Sequence, residues 1–94
     1  MCGISGIFNI TQKSLEAKSI IENILKIQNT RGPDDQNIWF SDCDKITFGH
    51  NRLSIIDLSK EASQPFISLD KNFIITFNGE IYNYKELKNV LMQN

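Results

Sequence analysis

The sequence predicts an α+β domain, because runs with β periodicity and runs with helical periodicity follow one another along its 94 residues. Two segments carry apolar side chains at helical spacing, and four or five shorter runs are rich in β-branched and aromatic residues. The predicted order is β, α, β, β, an irregular segment, β and α. The length suits one small domain.

The first predicted strand starts at the chain terminus and covers Cys2 to Ile10. Ile4 and Phe8 fall on one face of it, and Ile7 falls on the other. The two glycines in this run leave room for another backbone or a ligand to come close.

The first predicted helix covers residues 14–29. Lys18 and Glu22 fall on its polar face, and Ser14 is a candidate N-cap. Pro33 ends the helix because it disfavours helical geometry at the residue before it. The apolar stripe consists of Ile20, Ile21, Ile24 and Leu25.

Three β-rich runs occupy the middle of the chain. Residues 37–41 and 45–49 flank the polar Asp42-Cys43-Asp44, which predicts a hairpin. Residues 73–77 have no polar face, so this strand is expected to be buried on both sides. It ends at the strong turn signal Asn78-Gly79.

The second predicted helix begins after Asn83, a candidate cap with Glu86 three residues later. Leu87, Val90 and Leu91 form its apolar stripe. This is the last predicted element.

Composition and charge favour a cytoplasmic protein that acts on a small molecule. Ten basic and eleven acidic residues give a net charge of −1, which argues against nucleic acid or an anionic membrane as partner. No run approaches the roughly 20 apolar residues of a membrane helix. The two cysteines are too few for a disulfide framework and, with the single histidine, have no zinc-ligand spacing.

Cys2 is the candidate nucleophile. Removal of Met1 would leave a thiol and a free α-amine on the same residue, and a neutral amine can take the thiol proton. The alternative is that Cys2 is a buried apolar side chain, which is the more common role of a free cysteine. Cys2 by itself does not decide between the two.

Five segments occur in a fixed order along the chain. They are MCGISGIF at residues 1–8, RGPD at 31–34, GHNRLSIID at 49–57, QP at 64–65 and FNGEIYNY at 77–84. Together they resemble the class II glutamine amidotransferases, and most closely the N-terminal part of the glutamine-hydrolysing asparagine synthetases. The resemblance implies an N-terminal-nucleophile fold, in which two stacked antiparallel sheets lie between helical layers.

The resemblance also implies roles for individual residues in the hydrolysis of glutamine. Cys2 matches the family's nucleophile, and Arg52 matches the residue that binds the glutamine α-carboxylate. Asn78 and Gly79 match the oxyanion hole, through a side-chain amide and a backbone N–H. These residue types suit the chemistry, because two preset donors stabilise an oxyanion and a guanidinium fork fits a carboxylate. The pocket-lining positions are Leu53, Ile55, Ile56 and Glu80.

Several of these residues have plainer interpretations. Asn78-Gly79 is a common hairpin turn, and an isolated arginine such as Arg52 usually lies on the surface. His50 invites a Cys–His dyad, but the family does not use it so. Cys43 lies between two aspartates, which are expected to disfavour its thiolate and make it a poor nucleophile.

The family's glutaminase domain is longer than this chain, so residues 1–94 are expected to represent its first half. A synthetase domain that uses ATP and Mg²⁺ follows in the full-length relatives, which are expected to be homodimers. No cofactor or metal is expected in this segment, and we expect little or no glutaminase activity from it alone. The alternatives are a non-catalytic interaction module that pairs through residues 73–77, and another class II amidotransferase.

Overall fold

The computed structural model describes residues 1–8, 14–54 and 59–94. These residues form five strands, two α-helices and two short 3₁₀ turns, and both sheets are antiparallel, which confirms the α+β class. The strands are β1 (Gly3–Phe8), β2 (Asp35–Phe40), β3 (Ile46–Arg52), β4 (Phe66–Ile67) and β5 (Ile74–Ile75). The helices are α1 (Ser14–Ile27) and α2 (Tyr84–Gln93), and the 3₁₀ turns are Gln28–Thr30 and Lys60–Ala62.

The larger sheet has the order β1-β3-β2, so β3 is its central strand. β2 and β3 form the predicted hairpin, with Ile38 opposite Gly49 and the polar loop between them. β3 continues to Arg52, three residues beyond the predicted end, and pairs with β1 through Gly3 opposite Asn51. Arg52 is therefore part of the sheet.

Helix α1 packs on one face of this sheet through Ala17, Ile21 and Leu25, which are 3 %, 0 % and 3 % exposed. Lys18 Nζ lies 3.8 Å from a carboxylate oxygen of Glu22 on the exposed side. The α-helix starts at Ser14 itself and ends at Ile27. Ile20, predicted to lie on the apolar stripe, is 44 % exposed because the helix meets the sheet along one side only.

Alternate residues of β3 point to opposite faces of the sheet. Asn51 Nδ2 donates a hydrogen bond to the Leu25 carbonyl over 2.9 Å, and a Cβ on Gly49 would lie 3.1 Å from a Leu25 methyl. These two residues therefore face α1. His50 and Arg52 alternate with them and face away from the helix.

The smaller sheet pairs β4 with β5, with Phe66 opposite Ile75. The expectation that residues 73–77 are buried on both sides is wrong, since Phe73, Ile75 and Phe77 are 73 %, 54 % and 41 % exposed. The physical reason is that α1 packs against the larger sheet, so the faces of this hairpin stay open within the described residues.

Helix α2 follows Asn83 as predicted, but the Asn83 side chain makes no capping hydrogen bond. The backbone carbonyl of Asn83 accepts a hydrogen bond from the backbone N–H of Leu87 over 3.1 Å. The whole helix is exposed, including the stripe of Leu87, Val90 and Leu91. Neither helix in the described ranges combines the length and the apolar composition that a membrane span requires.

Candidate active site

A cavity of about 420 Å³ is lined by every predicted site residue that the structure describes. Its lining includes Cys2, Arg52, Leu53, Asn78, Gly79 and Glu80. Ile55 and Ile56, the two remaining predicted residues, lie outside the described ranges. The chain thus brings together residues that are up to 78 positions apart in sequence, namely Cys2 and Glu80.

Cys2 lies immediately before β1, and its sulfur is fixed against the end of β3. The backbone N–H of Leu53 donates a hydrogen bond to Sγ over 3.3 Å, and the thiol lies 3.8 Å from the Leu53 carbonyl oxygen. Arg31 Nε donates to the Cys2 carbonyl over 3.4 Å. Met1 also lines the cavity and is 71 % exposed, so an aminopeptidase could reach it.

Arg52 is the last residue of β3 and is only 7 % exposed. Its Nη1 donates a hydrogen bond to the Ser59 carbonyl over 2.7 Å. The hydrogen bond that Ser63 Oγ donates over 2.7 Å is the main cause that lowers the pKa of the Asp35 carboxyl, and the positive charge of Arg52 makes a smaller contribution in the same direction. The plain interpretation of Arg52 as a surface residue is therefore wrong.

The turn at residues 31–34 supports the strand end that carries these groups. The Asp34 N–H donates to the Arg52 carbonyl over 2.9 Å, and Asp34 Oδ2 accepts the Ser54 N–H over 2.7 Å. A Cβ on Gly32 would collide with the Asn51 carbonyl group and lie 2.7 Å from the Arg52 nitrogen. This turn therefore positions the backbone from Arg52 to Ser54.

Asn78 and Gly79 follow β5 and lie at the cavity. The favoured two-residue hairpin turn at an Asn-Gly pair requires positive φ at both positions. Among the described glycines none has a positive φ, and the chain continues from Gly79 towards α2 rather than into a paired strand. The hairpin-turn interpretation of this pair is therefore wrong.

His50 is 1 % exposed and lines the cavity. Its Nε2 lies 3.2 Å from the Phe77 carbonyl oxygen, and because a carbonyl only accepts, Nε2 carries the proton. Burial is the main cause that lowers the pKa of His50. The imidazole is thus directed at Phe77.

Cys43 lies exposed in the β2–β3 loop and is not part of the cavity lining. A hydrogen bond with Ser41 Oγ, 3.4 Å from the sulfur, is the main cause that lowers the pKa of Cys43. The expectation that its neighbouring aspartates disfavour the thiolate is therefore wrong. The reason is that hydrogen bonds with Ser41 and with the Lys45 backbone favour the thiolate.

Other cavity residues had no predicted role: Met1, His50, Ser54, Ala62, Gln64 and Tyr82. The spacing of His50 and Arg52 could have identified His50, because residues two apart on a strand share a face. Gln64 lies in one of the five characteristic segments. In the part of the chain that the structure describes, no group of three or more His, Cys, Asp or Glu is arranged to hold a metal ion.

Comparisons with known proteins agree with the resemblance drawn from the five segments. The chain is 41 % identical over 90 residues to the glutamine-hydrolyzing asparagine synthetase 2 of Bacillus subtilis, a match that covers 94 % of this chain and 12 % of the relative. It is 35 % identical over 88 residues to asparagine synthetase B of Escherichia coli, covering 94 % and 15 %. It is also 38 % identical over 97 residues to the amidase chry2 of Gibberella zeae, covering 94 % and 14 %.

The chain spans between 12 % and 20 % of the length of the curated relatives it matches. The search of solved structures found no significant match. A family model described as a glutamine amidotransferase domain matches residues 1–94, which is the whole chain. The chain therefore belongs to the glutamine amidotransferase domain family.

Proposed function

We propose that this chain carries the glutamine-hydrolysing site of an asparagine synthetase-type protein. The observation that supports the proposal most strongly is the single cavity that Cys2, Arg52, Asn78 and Gly79 share. A thiol, a guanidinium and two amide donors around one space match the needs of a substrate with a carboxylate at one end and an amide at the other.

In the proposed reaction, the α-amine of Cys2, freed by removal of Met1, takes the thiol proton. The sulfur attacks the side-chain amide carbon of glutamine, and the oxyanion that forms is stabilised by the Asn78 amide and the Gly79 N–H. The C–N bond then breaks, ammonia leaves with the proton from the amine, and water hydrolyses the thioester to glutamate. Arg52 binds the α-carboxylate, while Leu53 and Glu80 shape the pocket together with Ile55 and Ile56.

The nitrogen acceptor is proposed to be aspartate, because relatives named asparagine synthetase from two bacteria, an archaeon and two plants match 94 % or more of this chain. The proposed chemistry needs no cofactor at the cavity. ATP and Mg²⁺ enter the proposal only through the synthetase domain of the full-length relatives. The match to a relative named an amidase keeps another class II amidotransferase as the second candidate.

The test uses the protein expressed from its complete reading frame. Glutamine-dependent ammonia release is expected to fall to background in Cys2→Ala and to stay at the parent level in Cys43→Ala, whose thiol lies outside the cavity. Activity that survives in Cys2→Ala would overturn the proposed nucleophile.

A second assay tests the acceptor. With aspartate and ATP, Cys2→Ala is expected to form asparagine from added ammonium but not from glutamine, because only the first step needs the thiol. If neither nitrogen source gives asparagine with the parent protein, aspartate is not the acceptor. The second candidate, another class II amidotransferase, then replaces the asparagine synthetase proposal.

A further inference from the structure

Phe77 lies directly before the proposed oxyanion pair, and side chains hold both of its backbone polar groups. The Phe77 N–H donates to Gln64 Oε1 over 2.6 Å, and the Phe77 carbonyl accepts from His50 Nε2 over 3.2 Å. Phe77 is two residues beyond the end of β5, so the sheet does not satisfy these groups. Backbone groups outside a sheet must find other partners, and here they are two specific side chains.

These two hydrogen bonds together restrict the backbone dihedrals of Phe77. A peptide unit is planar, so the Phe77 nitrogen belongs to the plane before its Cα and the Phe77 carbonyl to the plane after it. Gln64 orients the first plane, and His50 orients the second, which also contains the Asn78 nitrogen. With both planes held, the direction in which the chain enters Asn78 and Gly79 is held as well.

The His50 arm is anchored in the most restrained part of the fold. His50 lies in the central strand, paired with Ile4 of β1 on one side and Asn37 of β2 on the other. Burial also lowers the pKa of its imidazole, against a smaller opposing effect of the Phe77 hydrogen bond and the Asp35 charge. A neutral ring with its proton on Nε2 therefore faces the Phe77 carbonyl near neutral pH.

The Gln64 arm is tied to the same sheet through its neighbour. Ser63 Oγ donates a hydrogen bond over 2.7 Å to Asp35, the first residue of β2. Gln64 itself is half-buried and lines the cavity. Both residues that hold Phe77 are thus linked to the sheet that also positions Cys2 and Arg52, His50 as part of it and Gln64 through Ser63.

We propose that His50 and Gln64 are positioning residues, which hold the peptide groups on both sides of Phe77 and so align Asn78 and Gly79 with the sulfur of Cys2. This inference rests on the proposed glutamine hydrolysis. Donors in an oxyanion hole act only when they are preset at the position where charge develops. If the backbone of Phe77 is held less firmly, the stabilisation of the oxyanion is therefore expected to decrease more than the affinity for glutamine.

The test compares paired variants in the protein expressed from its complete reading frame. His50→Leu removes the donor to the Phe77 carbonyl, and Gln64→Leu removes the acceptor of the Phe77 N–H. By contrast, His50→Gln keeps a donor and Gln64→Glu keeps an acceptor at a similar reach. Each Leu variant is expected to lower kcat for glutamine by about 10- to 100-fold, with KM within about twofold of the parent. This decrease in kcat is smaller than the one expected when an oxyanion-hole donor is removed altogether. The conservative variants are expected to recover most of the loss.

A second readout measures the oxyanion site directly. In an aldehyde analogue of glutamine, the Cys2 thiol adds to the aldehyde carbon. An S–C bond forms, the C=O π bond breaks and the thiol proton passes to the oxygen. This tetrahedral adduct places its oxygen where the oxyanion forms. Its affinity is expected to fall in the Leu variants by about the same factor as kcat.

Ser68→Ala is the matched control, because Ser68 Oγ accepts the Phe73 N–H over 3.0 Å in the same hairpin but away from the cavity. Its kcat should equal that of the parent. Two results would overturn the positioning role: Leu variants with the parent kcat, or losses that disappear once rates are expressed per folded molecule. A parent protein whose ammonia release survives Cys2→Ala would instead refute the proposed function.

Discussion

Leu53 donates its backbone N–H to the sulfur of Cys2 across 3.3 Å, joining the start of the chain to the end of the central strand. Leu53 directly follows Arg52, so the same piece of backbone fixes the sulfur and carries the guanidinium. A donor directed at sulfur stabilises negative charge that develops there. The Cys2 sulfur and the Arg52 guanidinium, the proposed nucleophile and carboxylate-binding group, are therefore positioned by adjacent residues of one strand end.

The first prediction concerns the turn that supports this backbone. Gly32→Ala would place a Cβ against the Asn51 carbonyl and 2.7 Å from the Arg52 nitrogen, and backbone atoms cannot move aside as a side chain can. We expect the free energy of unfolding to fall by about 1–3 kcal/mol or more, as in other overpacked sites. Urea unfolding followed by circular dichroism measures the change.

Gly6→Ala is the control for that experiment, because the nearest atom to its added Cβ is a ring carbon of Phe48 at 3.3 Å, which can shift slightly. It should cost clearly less stability than Gly32→Ala. Equal losses in the two variants would contradict the special role of the backbone contact at Gly32.

The second prediction concerns the proposed carboxylate-binding group. Arg52→Gln removes a charged donor, and such hydrogen bonds contribute roughly 1.5–3 kcal/mol, so KM for glutamine should rise by about 10- to 150-fold. The matched probe is the α-methylamide of glutamine, which lacks the carboxylate charge. The parent protein should prefer glutamine strongly over this probe, and Arg52→Gln should lose that preference. A preference that stays unchanged would assign carboxylate binding to another residue.

The third prediction concerns pH and the buried His50. In the unfolded chain a histidine titrates near about 6.5, and burial lowers the pKa of His50 in the fold. Below a pH of about 6.5 the unfolded chain therefore binds more protons than the folded chain does. The free energy of unfolding then decreases as the pH decreases, until the pH is below the lower pKa of the folded state. Above about 6.5 this contribution is fully present.

Urea titrations at pH 7.5 and 5.5 measure this effect, with His50→Gln as the variant that has no titrating ring. The Asp35 carboxyl near His50 stays ionised across this window because its own pKa is lowered. The parent should lose more stability between the two pH values than the variant does. Equal losses would show that His50 does not become protonated on unfolding.

Local patterns in the sequence predicted much of the fold. The helical stripe correctly placed Ile21 and Leu25 in the core, and the polar loop correctly placed the β2–β3 hairpin. Residues 73–77 were mispredicted because an apolar run shows that cover is needed but not whether a neighbouring element supplies it. The prediction of β3 ended at Gly49 because His50, Asn51 and Arg52 are polar, and tertiary contacts outweigh that signal.

The error in β3 explains what was missed in the candidate site. When the strand continues to Arg52, its alternation places His50 on the cavity face, whereas a strand ending at Gly49 leaves His50 without an orientation. The approach of Gln64 to Phe77 links residues 13 apart through an irregular segment, which no periodicity describes. The predicted cavity residues themselves came from the characteristic segments, and their chemical roles remain predictions.

The proposed roles of the Cys2 thiol and of an α-amine freed by removal of Met1 can be tested together by covalent labelling and intact-mass measurement. A glutamine analogue with a diazoketone in place of the amide alkylates a reactive thiol as N₂ leaves. We predict one adduct per chain, on Cys2, only in molecules that have lost Met1, and prevented by excess glutamine. Equal labelling of chains that retain Met1, or labelling of Cys43 in place of Cys2, would contradict an N-terminal nucleophile at this cavity.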